Sequence, residues 1–94
     1  MNVCTFVGKI WRISNWGSYV KVDIYVEEHY TNSKGEKKVE SVLISCRAYS
    51  TAGEYIEKNA AKGDHIALRG MLKTDRNDCT EQYIRINEFR LIKD

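Results

Sequence analysis

The feature that most constrains this chain is a strict alternation of apolar and polar side chains in residues 20–26. Every second position is a β-branched residue, namely Val20, Val22, Ile24 and Val26, and the positions between them are Lys21, Asp23 and Tyr25. Successive side chains of a β-strand point to opposite faces, so this pattern predicts a strand with one buried face. Similar alternations in residues 41–49 and 65–73 predict two more strands of the same kind.

The two ends of the chain predict strands with irregularities. Residues 3–13 are apolar at both odd and even positions, and Gly8 interrupts them where we expect a bulge or bend. A strand without a polar face either crosses a closed barrel or gives one face to a partner subunit. Near the C-terminus the apolar positions change phase between Ile86 and Phe89, which predicts a bulge near residues 87–88.

The chain also predicts one helix and one long hairpin loop. Thr51 and Glu54 have the spacing of a capping box, and a stripe of apolar residues at helical spacing follows: Ala52, Tyr55, Ile56 and Ala60. We expect this stripe, Tyr55 included, to lie in the core, and Gly63 to supply the positive φ of a C-terminal cap. The hydrophilic residues 27–38 predict a mobile hairpin loop between the second and third strands.

Length, charge and cysteine content narrow the functional class. The 94 residues contain no proline and no repeat, so we expect one domain over residues 1–94. Fifteen basic residues against 13 acidic ones give a net charge of +2, which neither requires nor excludes a nucleic-acid partner. Three widely spaced cysteines argue against a disulfide framework or a zinc site, and we expect them reduced and mostly buried. No apolar run could span a membrane, so we expect a soluble, cytoplasmic protein.

No arrangement of residues is typical of an enzyme. His29 and His65 have no neighbour at metal-ligand spacing. Asp75 and Asp78 lie in a polar turn, where hydrogen bonds to the backbone explain them. The sequence contains no phosphate-binding glycine loop and no nucleophile motif. We therefore expect no enzymatic activity, no metal and no cofactor.

The predicted order of three strands, one helix and two strands is that of an OB-fold. We therefore predict an all-β fold with one short helix, in which a five-stranded barrel carries the helix between strands 3 and 4. Neighbouring strands of such a barrel could combine their polar rows into the floor of one groove.

Within that fold, the sequence resembles the bacterial-type single-stranded DNA-binding proteins. The matching segments cover nearly the whole chain in the correct order: Phe6-Val7-Gly8-Lys9-Ile10, residues 20–26, residues 42–49, Glu54-Tyr55-Ile56-Glu57-Lys58, Lys62-Gly63-Asp64-His65-Ile66 and Arg69-Gly70-Met71-Leu72-Lys73-Thr74. Primosomal accessory proteins of the same fold share much of this pattern.

The resemblance implies binding of single-stranded DNA largely without sequence preference, in replication, recombination or repair, with RNA left open as a second ligand. Family members carry a flexible tail with an acidic, aromatic tip, whereas this chain ends directly after the last strand, so we expect no recruitment of proteins through a tail. Residues 29–30, Leu43 and Asn77 stand where the family tends to have tryptophans, which implies weaker or differently routed binding. The alternative is an OB-fold adaptor, primosomal or partner-binding, with weak affinity for nucleic acid.

Non-specific binding of a single strand needs cations along the phosphates and exposed rings for the bases. Both kinds of group occur on the polar rows of the strands and in the hairpin loop, and we predict these nucleic-acid-binding residues: Lys9, Trp11, Arg12, Lys21, Tyr25, Tyr30, Lys37, Lys38, Arg47, Tyr49, Arg69 and Lys73. For Trp11 and Trp16, burial in the core or in a subunit interface is equally open. The second apolar face of the first strand predicts a homodimer or homotetramer through edge pairing of Val3, Thr5 and Val7.

Overall fold

A computed structural model describes residues 2–93 of the chain. Its elements are β1 (Val3–Asn15), β2 (Val20–Thr31), β3 (Lys37–Ala48), α1 (Ser50–Asn59), β4 (His65–Thr74) and β5 (Gln82–Ile92). The strands close into a barrel in the order β1-β2-β3-β5-β4, and α1 lies between β3 and β4. The predicted OB-fold is therefore confirmed. No helix in the described part of the chain is long and apolar enough to cross a membrane.

The barrel interior is filled by the apolar sets that the alternation predicted. Val22, Ile24 and Cys46 are fully buried, and Ile56 closes one end of the barrel from α1. Every strand contributes to this core, whose buried members are Ile10, Val20, Val22, Ile24, Cys46, Ala48, Ile56, Ile66, Leu68, Ile84 and Ile86. Because apolar side chains fill the barrel interior, the candidate binding residues of the barrel strands lie on their outward rows.

The bulge in β1 lies at Trp11 and not at Gly8, where we expected it. β1 pairs with β4 in unbroken register through Gly8, whereas its register with β2 shifts between Ile10 and Arg12. Gly8 is required for another reason, because a Cβ there would lie 2.7 Å from the carbonyl oxygen of Tyr25. The bulge expected near residues 87–88 is confirmed, since β5 shifts register against β4 between Glu88 and Ile86.

The segment expected to be a long loop is mostly strand. β2 continues to Thr31 and β3 begins at Lys37, so only residues 32–36 form the turn. Side-chain and backbone hydrogen bonds to Asn32 close that turn. Beyond the barrel, residues 26–31 of β2 and 37–42 of β3 pair only with each other, and we call this two-stranded projection the ribbon. Cross-strand pairing therefore overrides the polar composition that suggested a loop.

The helix begins one residue before the expected capping box. Tyr49 is the N-cap, it makes no side-chain capping hydrogen bond, and Thr51 falls inside the first turn. Ala60 is the C-cap, and Gly63 takes its positive φ of 98° in the turn that follows. Tyr55, expected in the core, is 54% exposed and packs beside the ring of Phe89.

Candidate nucleic-acid interface

Trp11 marks one end of the candidate interface because the bulge in β1 leaves it exposed. Its ring meets that of Tyr25 on β2, with centroids 5.4 Å apart and planes inclined by 67°. The ammonium nitrogen of Lys62 lies 4.0 Å from the Trp11 ring centroid, and Lys9 is the register partner of Tyr25. These four residues form most of the lining of an open cavity of about 470 Å³. We call Lys9, Trp11, Tyr25 and Lys62 the Trp11 corner.

Backbone hydrogen bonds hold the loop that carries Lys62 against β1. The Gly63 N–H donates to the carbonyl oxygen of Ile10 at 2.9 Å, and the Ile10 N–H donates to the carbonyl oxygen of Asp64 at 2.8 Å. The Asp64 carboxylate accepts a hydrogen bond from the ammonium group of Lys93, which is the main reason why the pKa of Asp64 lies below its usual value. The loop is thus tied to both β1 and the end of β5.

Three tyrosines contact Arg47 on the neighbouring part of the barrel, and Trp16 stacks on one of them. The guanidinium carbon of Arg47 lies 4.4 Å from the Tyr19 centroid and 3.9 Å from the Tyr83 centroid. Tyr19 also meets Tyr49 at 5.7 Å and lies parallel to Trp16, with centroids 6.3 Å apart and planes 6° apart. We call Trp16, Tyr19, Arg47, Tyr49 and Tyr83 the Arg47 cluster. Trp16 is its outermost ring and is 60% exposed.

The charge of Arg47 is compensated within the protein. Arg47 is only 5% exposed, and its guanidinium lies 2.9 Å from the carboxylate of Asp75 and 3.4 Å from that of Glu81. Burial acts to lower the pKa of Arg47, but hydrogen bonds to Asp75 and Tyr49 outweigh it and raise the pKa. The pKa of Asp75 is lowered, first by the N–H of Asn77 and then by Arg47. Arg47 therefore links the carboxylates of the turn between β4 and β5 to the rings of Tyr19 and Tyr83.

β2 connects the Trp11 corner to the Arg47 cluster. Tyr25, Asp23 and Lys21 alternate with the core residues of this strand, about 7 Å apart. The Asp23 carboxylate is nearly buried and accepts a hydrogen bond from Arg12 at 3.2 Å, which neutralises the negative charge between the two aromatic groups. The ammonium nitrogen of Lys21 lies 5.8 Å from the centroid of Trp16. The two groups therefore belong to one continuous surface.

Residues of β4 and β5 extend this surface beyond the Arg47 cluster. The guanidinium carbon of Arg85 lies 5.3 Å from the centroid of Tyr49, and Lys73 is the register partner of Tyr83. Of the twelve predicted binding residues, the structure thus brings eight to one surface: Lys9, Trp11, Arg12, Lys21, Tyr25, Arg47, Tyr49 and Lys73.

The other four predicted residues lie outside the two groups, although one of them is in a row that continues this surface. Arg69 sits between Thr5 of β1 and Glu88 of β5, one row beyond this surface. In the ribbon, Tyr30 pairs with Lys38, and strand alternation places both on the side that continues the core-facing row. Lys37 lies on the opposite side, which continues the row of Lys21 and Tyr25.

Several residues of this surface are absent from the sequence-based prediction. Neither Tyr19 nor Tyr83 is among the predicted binding residues. Arg85 lies between two buried isoleucines on β5, so its outward position could have been found from the alternation. Lys62 comes from a loop, and no pattern in the sequence indicates that this loop folds over Trp11.

The thiols and carboxylates of the described residues form neither a disulfide nor a metal site. All three cysteines are free, and burial, with a smaller effect of the Asp23 charge, raises the pKa of Cys46 to about 12. Cys79 is exposed, although we expected the thiols to be mostly buried. Within residues 2–93, no group of three or more His, Cys, Asp or Glu side chains is placed to hold a metal ion.

Comparison with known proteins establishes the fold. No protein-family model matches the sequence, and a search of curated protein sequences finds no match. A small single-stranded DNA-binding protein from Streptomyces coelicolor superposes with a TM-score of 0.71 at 15% identity, over 96% of this chain and 93% of that one.

Two further solved structures share the architecture. The single-stranded DNA-binding protein of Plasmodium falciparum, solved with single-stranded DNA, gives a TM-score of 0.73 at 19% identity, over 98% and 93% of the two chains. The PriB protein of Ralstonia solanacearum gives 0.65 at 9% identity, over 96% of each chain. The resemblance that the sequence motifs indicated is therefore confirmed at the level of the fold: this chain has the OB barrel of the single-stranded DNA-binding proteins.

Proposed function

We propose that this protein binds single-stranded DNA, largely without sequence preference, along the surface formed by the Trp11 corner and the Arg47 cluster. The observation that carries the proposal is the alternation of exposed rings and cations along this one surface. Each stacked base contributes about 1–3 kcal/mol, and any base can stack because every base has a π-face. The folds of the Streptomyces and Plasmodium proteins support the same reading.

The residues have distinct roles in this proposal. Exposed rings offer stacking surfaces, and the best placed are Trp11 and Trp16, at 41% and 60% exposure. The cations around these rings that form no ion pair within the described residues would neutralise phosphates: Lys9, Lys21, Lys62, Lys73 and Arg85. Arg12 is already paired with the Asp23 carboxylate. Arg47 is a positioning residue, because Asp75 and Glu81 already compensate its charge. The proposal assigns Arg69 no contact with the strand, because it lies one row beyond this surface.

Binding of this kind would keep a strand unpaired during replication, recombination or repair. The alternative is an adaptor with weak nucleic-acid affinity, and two observations favour it. The PriB protein has the same fold, and the most buried cation of the surface is already paired with carboxylates. The two candidates differ in the strength of binding, which a titration measures directly.

We also propose that the protein is a homodimer or homotetramer that uses the edge of β1. Residues 3–8 of β1 pair with β4 on one side, and in residues 2–93 no strand pairs with their other side. Val3 and Val7 are exposed there at 40% and 59%. An unpaired edge with apolar side chains is a site where a second copy could add a strand.

The test is a titration of the protein with oligo-dT, oligo-rU and a duplex of equal length, followed by tryptophan fluorescence. We expect quenching by oligo-dT, weak binding of the duplex, and an affinity whose logarithm falls with the logarithm of salt concentration. The slope should be about 0.7 for each phosphate neutralised. No quenching at low salt would contradict strand binding and favour the adaptor.

The double variant K21A/R85A tests the surface itself. We expect the salt slope to fall by about 1.4, because two phosphate contacts are removed. Lys58→Ala, an exposed lysine in the last turn of α1, is the matched control and should leave the slope unchanged. Equal slopes for K21A/R85A and the wild-type protein would place the DNA elsewhere.

A further inference from the structure

The outer face of β4 and β5 carries one cation in each of four successive rows. The register pairs that form these rows are Lys73 with Tyr83, Met71 with Arg85, Arg69 with Glu88, and Ala67 with Arg90. Rows two residues apart on a strand are about 7 Å apart, so the four cations extend over about 20 Å. We call Lys73, Arg85, Arg69 and Arg90 the cation ladder.

The charges of the cation ladder are not compensated within the described residues. None of its four members forms an ion pair there. The three arginines are exposed, and Lys73 is half-buried. Glu88 is the one carboxylate in the four rows, and the outward residues of β1 beside them are uncharged: Val3, Thr5 and Val7. The ladder is therefore a positive strip open to an anionic ligand.

The cation ladder differs from the proposed single-strand surface because it offers no ring for a base. Tyr83, in the first row, contacts the guanidinium group of Arg47. Phe89 lines the open cavity of about 310 Å³ that lies beside Arg69 and Arg90, but it packs against the core. The four rows hold no other aromatic residue. The ladder can therefore contact phosphates but cannot stack bases.

A strip of cations without rings suits a duplex better than a single strand. Double-stranded DNA carries one negative charge for about every 1.7 Å of its axis, which is twice the charge density of either strand alone. Its bases are already paired and stacked, so rings on the protein would add nothing to its binding. A single strand, by contrast, gains affinity from stacking as well as from its phosphates. The chemistry of the ladder therefore favours duplex DNA as its ligand.

The cation ladder begins where the proposed single-strand surface ends. Arg85 lies beside the ring of Tyr49, and Lys73 is the register partner of Tyr83, so both cations belong to the surface and to the ladder. A strand that leaves the Arg47 cluster at this point can continue onto the ladder as one strand of a duplex.

We propose that the protein binds the junction between a single strand and a duplex. The single strand lies along the Trp11 corner and the Arg47 cluster, and the duplex phosphates contact the cation ladder. This inference rests on the proposed function, because the single-stranded part anchors the DNA. Arg69 and Arg90, the two cations that the single strand does not use, would hold a duplex only weakly by themselves.

The test compares oligo-dT with the same oligo-dT joined to a duplex at its 3′ or its 5′ end, by fluorescence anisotropy of labelled DNA. At low salt the tighter-binding tailed duplex should exceed oligo-dT in affinity by at least about fivefold. Its salt slope should be larger by about 1.8, because each of two further duplex phosphates contributes about 0.9. Oligo-dT lengthened by the same number of nucleotides is the control for DNA length and should gain less.

Variants of the ladder separate the duplex contact from single-strand binding. R69A/R90A should remove the gain from the duplex and leave the affinity for oligo-dT unchanged. R69K/R90K keeps both charges and should keep most of the gain. E88Q removes the one carboxylate of the four rows and should increase the gain, a result that a damaged fold would not produce. Lys58→Ala on α1 is the matched control and should change neither affinity.

The outcomes distinguish this inference from the proposed function. A tailed duplex that binds no tighter than oligo-dT, or a full gain in R69A/R90A, would overturn the junction and leave single-strand binding intact. An equal gain from the lengthened oligo-dT would assign the ladder to a longer single strand and would also overturn it. A wild-type protein that does not bind oligo-dT would contradict the proposed function, and the junction with it.

Discussion

Arg47 and Arg85 are register partners on β3 and β5, yet their surroundings give them different roles. Arg47 is held between two tyrosine rings and two carboxylates, whereas Arg85 is exposed and lies over Tyr49. Alternation alone places both on the outer row. Their surroundings differ because the turn between β4 and β5 brings the carboxylates of Asp75 and Glu81 against Arg47 and not against Arg85.

Replacing Arg47 by alanine should therefore reduce stability. The change removes two cation–π contacts and leaves Asp75 without its cation, so we expect the free energy of unfolding to fall by about 2–3 kcal/mol. Urea denaturation measures it. The control is Arg85→Ala, which should cost less than about 0.5 kcal/mol as a surface substitution but should weaken DNA binding. Equal losses of stability would contradict the distinction.

Gly8 allows a second prediction at a single position. A methyl group at Gly8 would meet the carbonyl oxygen of Tyr25 at 2.7 Å, so Gly8→Ala should lower the free energy of unfolding by about 1–3 kcal/mol. Gly35→Asn is the control, because nothing lies within 4 Å of Gly35 and asparagine tolerates its positive φ. A fully stable Gly8→Ala variant would show that β1 and β2 can separate there at no cost.

At the scale of single residues, the sequence predicted burial better than it predicted contacts. The β-branched rows of β2 and the glycine at position 8 could be recognised, but the reason for that glycine could not. Tyr55 follows the apolar stripe of the helix and is nevertheless exposed, whereas Ile56 is fully buried and Ala52 and Ala60 pack against the core. Lys62 reaches Trp11 only through a loop conformation that no local pattern encodes.

At the scale of elements, the ribbon places two consecutive lysines on opposite sides. Lys37 and Lys38 point to opposite sides of β3, and only Lys37 shares a side with Lys21 and Tyr25. Lys37→Ala should therefore reduce the salt slope of oligo-dT binding by about 0.7, whereas Lys38→Ala should leave it unchanged. The two variants have the same composition and serve as each other's control. Equal slopes would mean that the DNA does not follow one side of the ribbon.

The first turn of α1 provides a second test at this scale. An N-cap threonine typically contributes about 1 kcal/mol, but Thr51 lies inside the helix and Tyr49 is the N-cap. Thr51→Ala should therefore change the free energy of unfolding by less than about 0.5 kcal/mol. A loss near the full capping contribution, measured by urea denaturation, would show that the capping box forms in solution.

The element order and the fold were predictable because each alternating segment became a strand. The extent of β2 and β3 was not predictable, since the polar residues 27–31 and 37–41 form strand only by pairing with each other. The bulge near residue 87 could be inferred from a change of phase in the sequence. The bulge at Trp11 could not, because both sides of β1 are apolar there and no phase is visible.

For the whole molecule, three aspartates couple folding to pH. Hydrogen bonds lower the pKa values of Asp64, Asp75 and Asp78: Lys93 acts chiefly on the first, the N–H of Asn77 on the second, and Thr80 on the third. Near pH 4 the unfolded chain therefore binds more protons than the folded one. The stability that these carboxylates contribute is complete above the ordinary aspartate pKa and is lost as pH falls through the lowered values.

The free energy of unfolding should accordingly be steady between about pH 7 and 5 and should fall progressively below about pH 4. Urea denaturation at fixed ionic strength across this range measures it. Asp78→Asn is the matched control, because an amide oxygen can still accept the hydrogen bonds from Thr80 but does not titrate. Its decline with acidity should be shallower than that of the wild-type protein. An identical decline would assign the acid sensitivity to other carboxylates, and no decline would contradict the lowered pKa values themselves.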